Sequence, residues 1–257
     1  MNRKKKFLAA FLGLVLISGI FVSLFLTKRI SFAHPSSTAY PIRGADLSEY
    51  QGEVDFEKLE AQGLSFVFLK ATEGSSYVDE RFSENLHKLQ ATDLAYSAYH
   101  FFSFESLGKT QGENVLRHVP RDTPLPPIVD VELYGEFWEN PAPSQWVQEE
   151  LLVLLQMLES SDGRKPILYT TKRTYDLYLN NELFQEYPLW IREVYFSPEI
   201  RWKTPWLFWQ YTDRAVLEGY HGEEKYIDLN VYNGSRDSWN TYLAENKPQT
   251  PSESRIS

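Results

Sequence analysis

Cysteine is absent from the 257-residue chain. Disulfide bridges, thiolate metal sites, cysteine nucleophiles and a lipidated N-terminal cysteine are therefore excluded. Histidine is scarce, and the five copies are scattered without the short spacings that metal ligands show. Neither a Gly-rich phosphate loop nor a G-x-S-x-G motif occurs. The sequence thus predicts no cofactor and no metal ion.

Basic residues are few outside the N-terminus. Residues 1–35 carry six of the 26 Lys and Arg and none of the 35 Asp and Glu, which leaves 20 basic against 35 acidic residues and a formal charge of −15 for the remainder. Such a surface repels nucleic acids and anionic membranes. We therefore expect no nucleic-acid partner.

The N-terminus carries the one long apolar run of the chain. Four basic residues at 3–6 precede an uncharged run at 7–26, which is long enough to cross a bilayer as a helix. The excess of basic residues before the run predicts a cytoplasmic N-terminus, with the rest of the chain outside the membrane. Residues 1–29 are thus predicted as a transmembrane signal-anchor. The alternative is secretion after cleavage near Ala33, because Ser31-Phe32-Ala33 has the small-x-small form of a cleavage site.

The rest of the chain divides into three segments. Residues 30–41 read as a short polar linker and residues 247–257 as a disordered tail. Between them, 42–246 can form one barrel-sized domain with a single large core, which we expect to be a monomer.

Apolar runs alternate with amphipathic segments through this domain. Strands are predicted at 42–46, 64–71, 94–102, 128–132, 166–170, 189–191, 207–211 and 226–232, and helices at 56–62, 81–92, 110–119, 144–160 and 171–179. Alternating strands and helices indicate an α/β fold, and eight strands suit a closed TIM-like barrel. Chemistry is then expected at the carboxyl ends of the strands.

Two carboxylates stand two residues apart at the end of the fourth predicted strand. Asp130 and Glu132 share one face of an extended chain. Closely spaced like charges separate their proton affinities, so one site can hold a protonated acid and an ionised carboxylate, as glycoside hydrolysis requires. A strand end whose acids cap a loop or bind water fits the same pattern. Asp46 and Asp228 lie at or near the ends of the first and eighth predicted strands, which are neighbours in a closed barrel.

Several motifs at family-like spacing resemble the glycoside hydrolase family 25 muramidases, or Chalaropsis-type lysozymes. The likeness covers about residues 42–236 and includes RGADLS at 43–48, YQG at 50–52, FLKATEG at 68–74, AYHFF at 98–102, PIVDVE at 127–132, LWI at 189–191, WQY at 209–211 and IDLN at 227–230. The resemblance implies an irregular barrel of five β/α units followed by three β-strands. It also implies hydrolysis of the β-1,4 bond between N-acetylmuramic acid and N-acetylglucosamine in peptidoglycan.

The resemblance also assigns roles to the acids. Glu132 matches the general acid that protonates the leaving oxygen, and Asp130 matches its partner on the same strand. Asp46 and Asp228 match the two acids that complete the cleft. The family implies retention of anomeric configuration, either by direct attack of a carboxylate or by attack of the substrate's own acetamido group.

A second set of residues is predicted to bind substrate: Tyr99, Tyr211, Glu73, Trp190 and Arg192. Glu73 fits a loop turn equally well. Relatives usually carry a small residue at the position of Arg192, whose cation suits either a substrate carboxylate or an ion pair with Glu193 or another acid. With peptidoglycan as partner and an N-terminal anchor, remodelling of the cell's own wall is the expected role.

Other interpretations are open at this stage. His100 fits a hydrogen-bonded structural residue better than a base or a metal ligand. Chitinase-like barrels carry a further Asp two residues before the D-x-E pair, where this chain has Ile128. An inactive wall-binding or scaffold protein on the same fold is the alternative from a different functional class.

Overall fold

A computed structural model describes residues 3–27 and 31–248, apart from the side chains of residues 3–6, 8–10 and 26. Its strands are β1 Arg43–Leu47, β2 Glu53–Val54, β3 Phe66–Glu73, β4 Tyr77–Val78, β5 Ala95–Phe101, β6 Ile128–Val131, β7 Ile167–Thr171, β8 Leu189–Arg192, β9 Phe208–Ala215, β10 Tyr220–His221 and β11 Ile227–Tyr232. Its helices are α1 Arg3–Leu26, α2 Phe56–Ala61, α3 Phe82–Leu89, α4 Gly108–His118, α5 Ser144–Asp162, α6 Lys172–Thr174 with a π-helical continuation Tyr175–Leu179, α7 Pro198–Arg201 and α8 Arg236–Glu245. The predicted tail lies outside the described residues from residue 249 onward.

Eight of the strands close into a barrel. Their order is β1-β11-β9-β8-β7-β6-β5-β3, and β3 pairs back to β1. The eight strands predicted from the sequence are these eight, so the α/β barrel is confirmed. The first five, up to β7, are each followed by a helix. Of the last three, β8 and β9 are separated by the four-residue α7, and β9 and β11 by the two-residue β10.

One strand runs against the others. The barrel strands from β1 through β9 pair parallel to their neighbours, but β11 is antiparallel to both β1 and β9. Its amino end therefore lies at the mouth where the other strands have their carboxyl ends. Asp228, the second residue of β11, reaches the mouth because its strand begins there, which the expectation of functional residues at the carboxyl ends of the strands did not foresee.

Aromatic side chains fill the lower barrel interior. The ring of Phe68 lies 4.6 Å from Trp190, 5.0 Å from Phe66 and 5.1 Å from Phe208. A side chain at Gly44 would place its Cβ 2.4 Å from the Phe66 ring, so glycine is required for this packing. Inward positions recur every second residue, and the next inward layer toward the mouth is polar.

Helix α8 closes the amino end of the barrel, although no helix was predicted there. Trp239 packs 5.1 Å from Tyr232 and 5.6 Å from Phe66, measured between ring centroids. A local signal for this helix exists, because the Ser235 hydroxyl accepts a hydrogen bond from the Ser238 amide as an N-cap. With one end plugged, the opposite mouth is left as the route for substrate into the polar layer.

The predicted linker is docked on the barrel from residue 31 onward. The Ser31 hydroxyl donates to the carbonyl of Val194 at 2.6 Å, the Phe32 amide donates to the carbonyl of Tyr195 at 2.8 Å, and Ala33 is 2% exposed. These contacts hold the segment beside the loop that follows β8.

Over the part of the chain that the structure describes, no helix meets the length and apolarity of a membrane crossing. The predicted span at 7–26 includes the side chains of residues 8–10 and 26, which lie outside that part. The transmembrane anchor therefore stays a prediction.

Candidate active site

Asp46 and Asp228 are direct partners across the antiparallel pair of β1 and β11. Like charges directly opposite each other destabilise a sheet unless donors or protons compensate them. The Gln210 side chain, on the adjacent β9, supplies donors: its Nε2 lies 3.1 Å from both carboxylate oxygens of Asp46 and 2.9 Å from Oδ2 of Asp228. One amide group thus bridges the two carboxyl groups.

The side chains of Tyr169 and Trp190 orient two side-chain amides, those of Gln210 and Asn230. The Tyr169 hydroxyl donates to Oε1 of Gln210 at 2.9 Å, so its Nε2 faces the acids. The Trp190 indole N–H, which can only donate, lies 2.8 Å from Oδ1 of Asn230. The Nδ2 of Asn230 then donates to Oδ1 of Asp46 at 2.7 Å.

The surroundings of this pair shift its protonation. Burial raises the pKa of Asp46 to about 6, although hydrogen bonds from Asn230 and Gln210 and the charge of Arg192 oppose the shift. Burial raises the pKa of Asp228 well above its usual range, and the negative charge of Asp46 adds to the effect. Two carboxyl groups so placed favour a single shared negative charge near neutral pH.

Asp130 and Glu132 occupy successive inward positions on β6 and just beyond its end. Asp130 is 7% exposed, and its Oδ1 is buried without a hydrogen-bond partner among the described residues. Burial, with the charges of Glu132 and Asp46, raises the pKa of Asp130 well above its usual range. Burial also raises the pKa of Glu132, while Arg192 acts in the opposite direction. Both groups therefore tend to keep a proton.

Arg192 ends β8 at the mouth. Its guanidinium forms an ion pair with Asp213 on β9 at 2.5 Å. The suggested pairing with Glu193 does not occur, because Glu193 faces the other side and pairs with Arg201 at 3.0 Å. Arg192 is thus a cation at the mouth that partly balances the negative charge of the acids.

Two of the predicted substrate-binding residues, Tyr99 and Glu73, lie at the mouth of the barrel. Tyr99 lies among the acids, and burial together with the charges of Asp46 and Asp130 raises the pKa of its hydroxyl. Glu73 lies at the rim, 41% exposed and paired at 2.7 Å with Lys70. Both residues lie at the mouth, and their contact with substrate stays a prediction.

Trp190 and Tyr211 do not line an open cleft, which corrects their predicted role. Trp190 is 2% exposed beneath the polar layer, where it holds Asn230. Tyr211 is 9% exposed and packs against Trp209 on the outer side of the barrel wall, because it alternates with the inward Gln210.

His100 is a structural residue, as the simpler interpretation held. Its Nδ1 lies 2.8 Å from the Thr72 hydroxyl and its Nε2 lies 3.0 Å from Oε1 of Gln111. Burial lowers its pKa to about 4, so the ring stays neutral. Within the described ranges, no group of three or more His, Cys, Asp or Glu side chains is arranged to hold a metal ion.

Three residues of this network were missed in the sequence: Gln210, Asn230 and Tyr169. Gln210 and Asn230 stand inside quoted motifs, and each lies two residues from an inward aromatic residue, Phe208 and Tyr232 respectively, which was the available signal. Their contacts join strands that are far apart in sequence, so spacing alone could not identify their partners. Together the layer offers proton-holding acids beside an ionisable pair, the combination needed to cleave a glycosidic bond.

The chain is similar to known proteins in sequence and in fold. The model of the family "Glycosyl hydrolases family 25" matches residues 45–220. A family 25 glycosyl hydrolase from Bacillus anthracis has a solved structure that aligns with a TM-score of 0.75 at 44% identity, over 81% of this chain and 96% of that chain. The uncharacterized protein YegX of Escherichia coli O157:H7 is 31% identical over 83% of this chain and 77% of its own length. Lysozyme M1 of Streptomyces globisporus is 27% identical over 76% and 68%, respectively.

Proposed function

This chain belongs to glycosyl hydrolase family 25, and from that membership we propose that it is an N-acetylmuramidase, a lysozyme-type peptidoglycan hydrolase. Its substrate is the β-1,4 bond between N-acetylmuramic acid and N-acetylglucosamine. The observation that carries the proposal is the convergence of Asp46, Asp130, Glu132 and Asp228 on one mouth of the barrel, with pKa values raised by burial.

Glu132 acts as the general acid in this proposal. Burial favours its protonated form, so it can deliver a proton to the leaving oxygen near neutral pH. Asp130 stands behind it on the same strand, where its Oδ1 is buried without a hydrogen-bond partner among the described residues. The reaction proceeds with retention, and Asp46 with Asp228 supplies negative charge that stabilises the oxocarbenium-like transition state.

Arg192 and Tyr99 then bind substrate around these acids. Arg192 uses one nitrogen for Asp213, and a guanidinium carries further N–H donors suited to a carboxylate such as the lactyl group of muramic acid. The Tyr99 hydroxyl suits an acetamido group. Glu73, at the rim, contacts sugars further from the cleaved bond.

End-group analysis tests the function directly. The purified protein, incubated with bacterial peptidoglycan, is expected to release muropeptides with reducing N-acetylmuramic acid ends. Reducing N-acetylglucosamine ends would instead establish glucosaminidase specificity. Binding without any release would favour the inactive scaffold.

We further propose that the enzyme is retained at the outer face of the cytoplasmic membrane and remodels the cell's own wall. The apolar run at 7–26 and the basic residues before it support this placement. The ring of Phe25, near the end of α1, lies 5.2 Å from Tyr195 in the loop after β8. An anchored barrel would therefore hold its mouth close to the membrane, within reach of nearby wall strands.

A further inference from the structure

We propose that Gln210 is a positioning residue that, with Asn230, localises the negative charge of the acid pair on Asp46 and the shared proton on Asp228. The proposal deepens the hydrolase function and rests on it only for the catalytic consequence. The proposal predicts that Asp46 ionises before Asp228, and this order can be measured without substrate.

The geometry around the bridging amide carries the first step. A primary amide has two N–H donors, whereas three carboxylate oxygens lie within 3.1 Å of Nε2 of Gln210. The Oε1 of this amide accepts a hydrogen bond from the Tyr169 hydroxyl, and this orientation leaves Nε2 facing the acids. Gln210 therefore acts only as a donor toward the acids, which favours a negative charge on the pair and holds it in place.

An asymmetry between the two acids carries the second step. Asp46 receives an additional hydrogen bond at 2.7 Å from Asn230, whose orientation the Trp190 indole fixes. Asp228 shares only the Gln210 donor among the hydrogen bonds described for its side chain. Hydrogen bonds stabilise an ionised carboxylate over its protonated form, so Asp46 is the better anion and Asp228 the better proton holder.

Neighbouring charges act on both members of the pair. The charged or titratable groups that face them from the surrounding elements are Arg192 on β8, Asp213 on β9, Asp130 on β6, Glu132 just beyond it, Tyr99 on β5 and Tyr169 on β7. Asp213 and Glu132 further disfavour ionisation of Asp228, while Arg192 favours ionisation of both. Together these groups leave Asp46 ahead of Asp228 in losing its proton.

The test is a carboxyl ¹³C NMR titration of the full-length protein. In the wild type, Asp46 is expected to titrate at lower pH than Asp228. Gln210→Met keeps the side-chain length but removes the donors, so the Asp46 midpoint should rise by about one to two pH units, the equivalent of a hydrogen bond to a charged group. Gln148, on helix α5, donates to the carbonyl of Tyr178 and is far from the acids in sequence. The control variant Gln148→Met should leave both midpoints unchanged.

Tyr169→Phe provides a milder variant, because it removes only the hydroxyl that orients Gln210. It should shift the Asp46 midpoint in the same direction by a smaller amount. The proposal is overturned if Asp228 ionises before Asp46 in the wild type, or if Gln210→Met folds and leaves the Asp46 midpoint in place. The wild-type order needs no variant and no activity, so its failure is distinct from a failed end-group assay.

Discussion

Asp46 and Asp228 face each other across the seam where the first and last strands of the barrel meet. The pair exists only once the barrel has closed, because the two residues come from opposite ends of the domain. Repulsion between them works against closure, and the Gln210 bridge with burial-raised pKa values offsets it. The repulsion between these two carboxyl groups therefore acts where β1 and β11 pair to close the barrel.

Glu132→Gln should lower turnover on peptidoglycan by about 10²- to 10⁴-fold while the fold stays intact, because an amide cannot deliver the proton. Release of reducing ends and the melting temperature measure the two effects. The exposed Glu136, four residues on, gives a matched control: Glu136→Gln should retain normal turnover. Near-normal turnover in Glu132→Gln would remove Glu132 from the general-acid role.

Asp130→Asn should abolish most activity and stabilise the protein at pH 7. The folded-state pKa is raised from a usual value of 3.8, so the native protein binds more protons than the unfolded chain above about pH 4. Stability therefore falls as pH rises above that value, and the amide removes this loss. A gain of about 1 kcal/mol would raise Tm by roughly 2 to 4 °C at pH 7.

The gain from Asp130→Asn should shrink toward pH 4, because the Asp130 carboxyl group of the unfolded chain then begins to bind a proton, as that of the folded protein already does. Thermal melts across pH 4 to 8 measure it, with the exposed Asp122→Asn as the control. A variant that is less stable than the wild type at pH 7 would show that the Asp130 carboxylate has a stabilising partner.

Arg192→Met should move the pH–activity profile upward. The positive charge of Arg192 lowers the pKa values of Asp46, Glu132 and Asp228, so its removal raises all three. Activity on the acidic side, where Asp46 titrates near a pKa of about 6, should be lost first. Arg214→Met neutralises an exposed arginine that bonds to Tyr226, and its profile should match the wild type. Identical profiles for both variants would contradict the assigned role.

Tyr99→Phe and Tyr211→Phe should differ, although both tyrosines stand in family-like motifs. Tyr99 lies among the acids, and loss of its hydroxyl should reduce kcat/KM about tenfold, near the value of one hydrogen bond to a polar ligand. Tyr211 lies on the outer side of the wall, so its variant should remain within about twofold of the wild type. Steady-state kinetics on one peptidoglycan preparation decides this, and equal losses would return Tyr211 to the cleft.

Membrane retention predicts that the full-length protein stays in the membrane fraction after salt washing. Six of the basic residues and the apolar run at 7–26 lie within residues 1–29. N-terminal sequencing of the mature protein provides the complementary measurement. A soluble form that begins at His34 would show that Ser31-Phe32-Ala33 is cleaved and that the anchor is wrong.

The eight barrel strands were predictable because each depends on a local signal, namely a short apolar run bounded by turn or helix signals. The shared face of Asp130 and Glu132 was predictable for the same reason, because residues two positions apart on a strand point to the same side. Helix α8 was missed although Ser235 and the spacing of Trp239, Tyr242 and Leu243 indicated it. Tyr211 lies on the outer side of the wall because it alternates with the inward Gln210, although its motif resembles the family.

The sequence by itself determined which residues point inward and which segments form strands, because alternation along an extended chain is a local property. Only the tertiary structure decided that β11 runs antiparallel, so that Asp228 starts its strand beside Asp46 instead of ending it. The same closure gave both acids Gln210 as their donor and paired Arg192 with Asp213 rather than Glu193. Such partners depend on the register between distant strands, and register is set by the packing of the whole barrel.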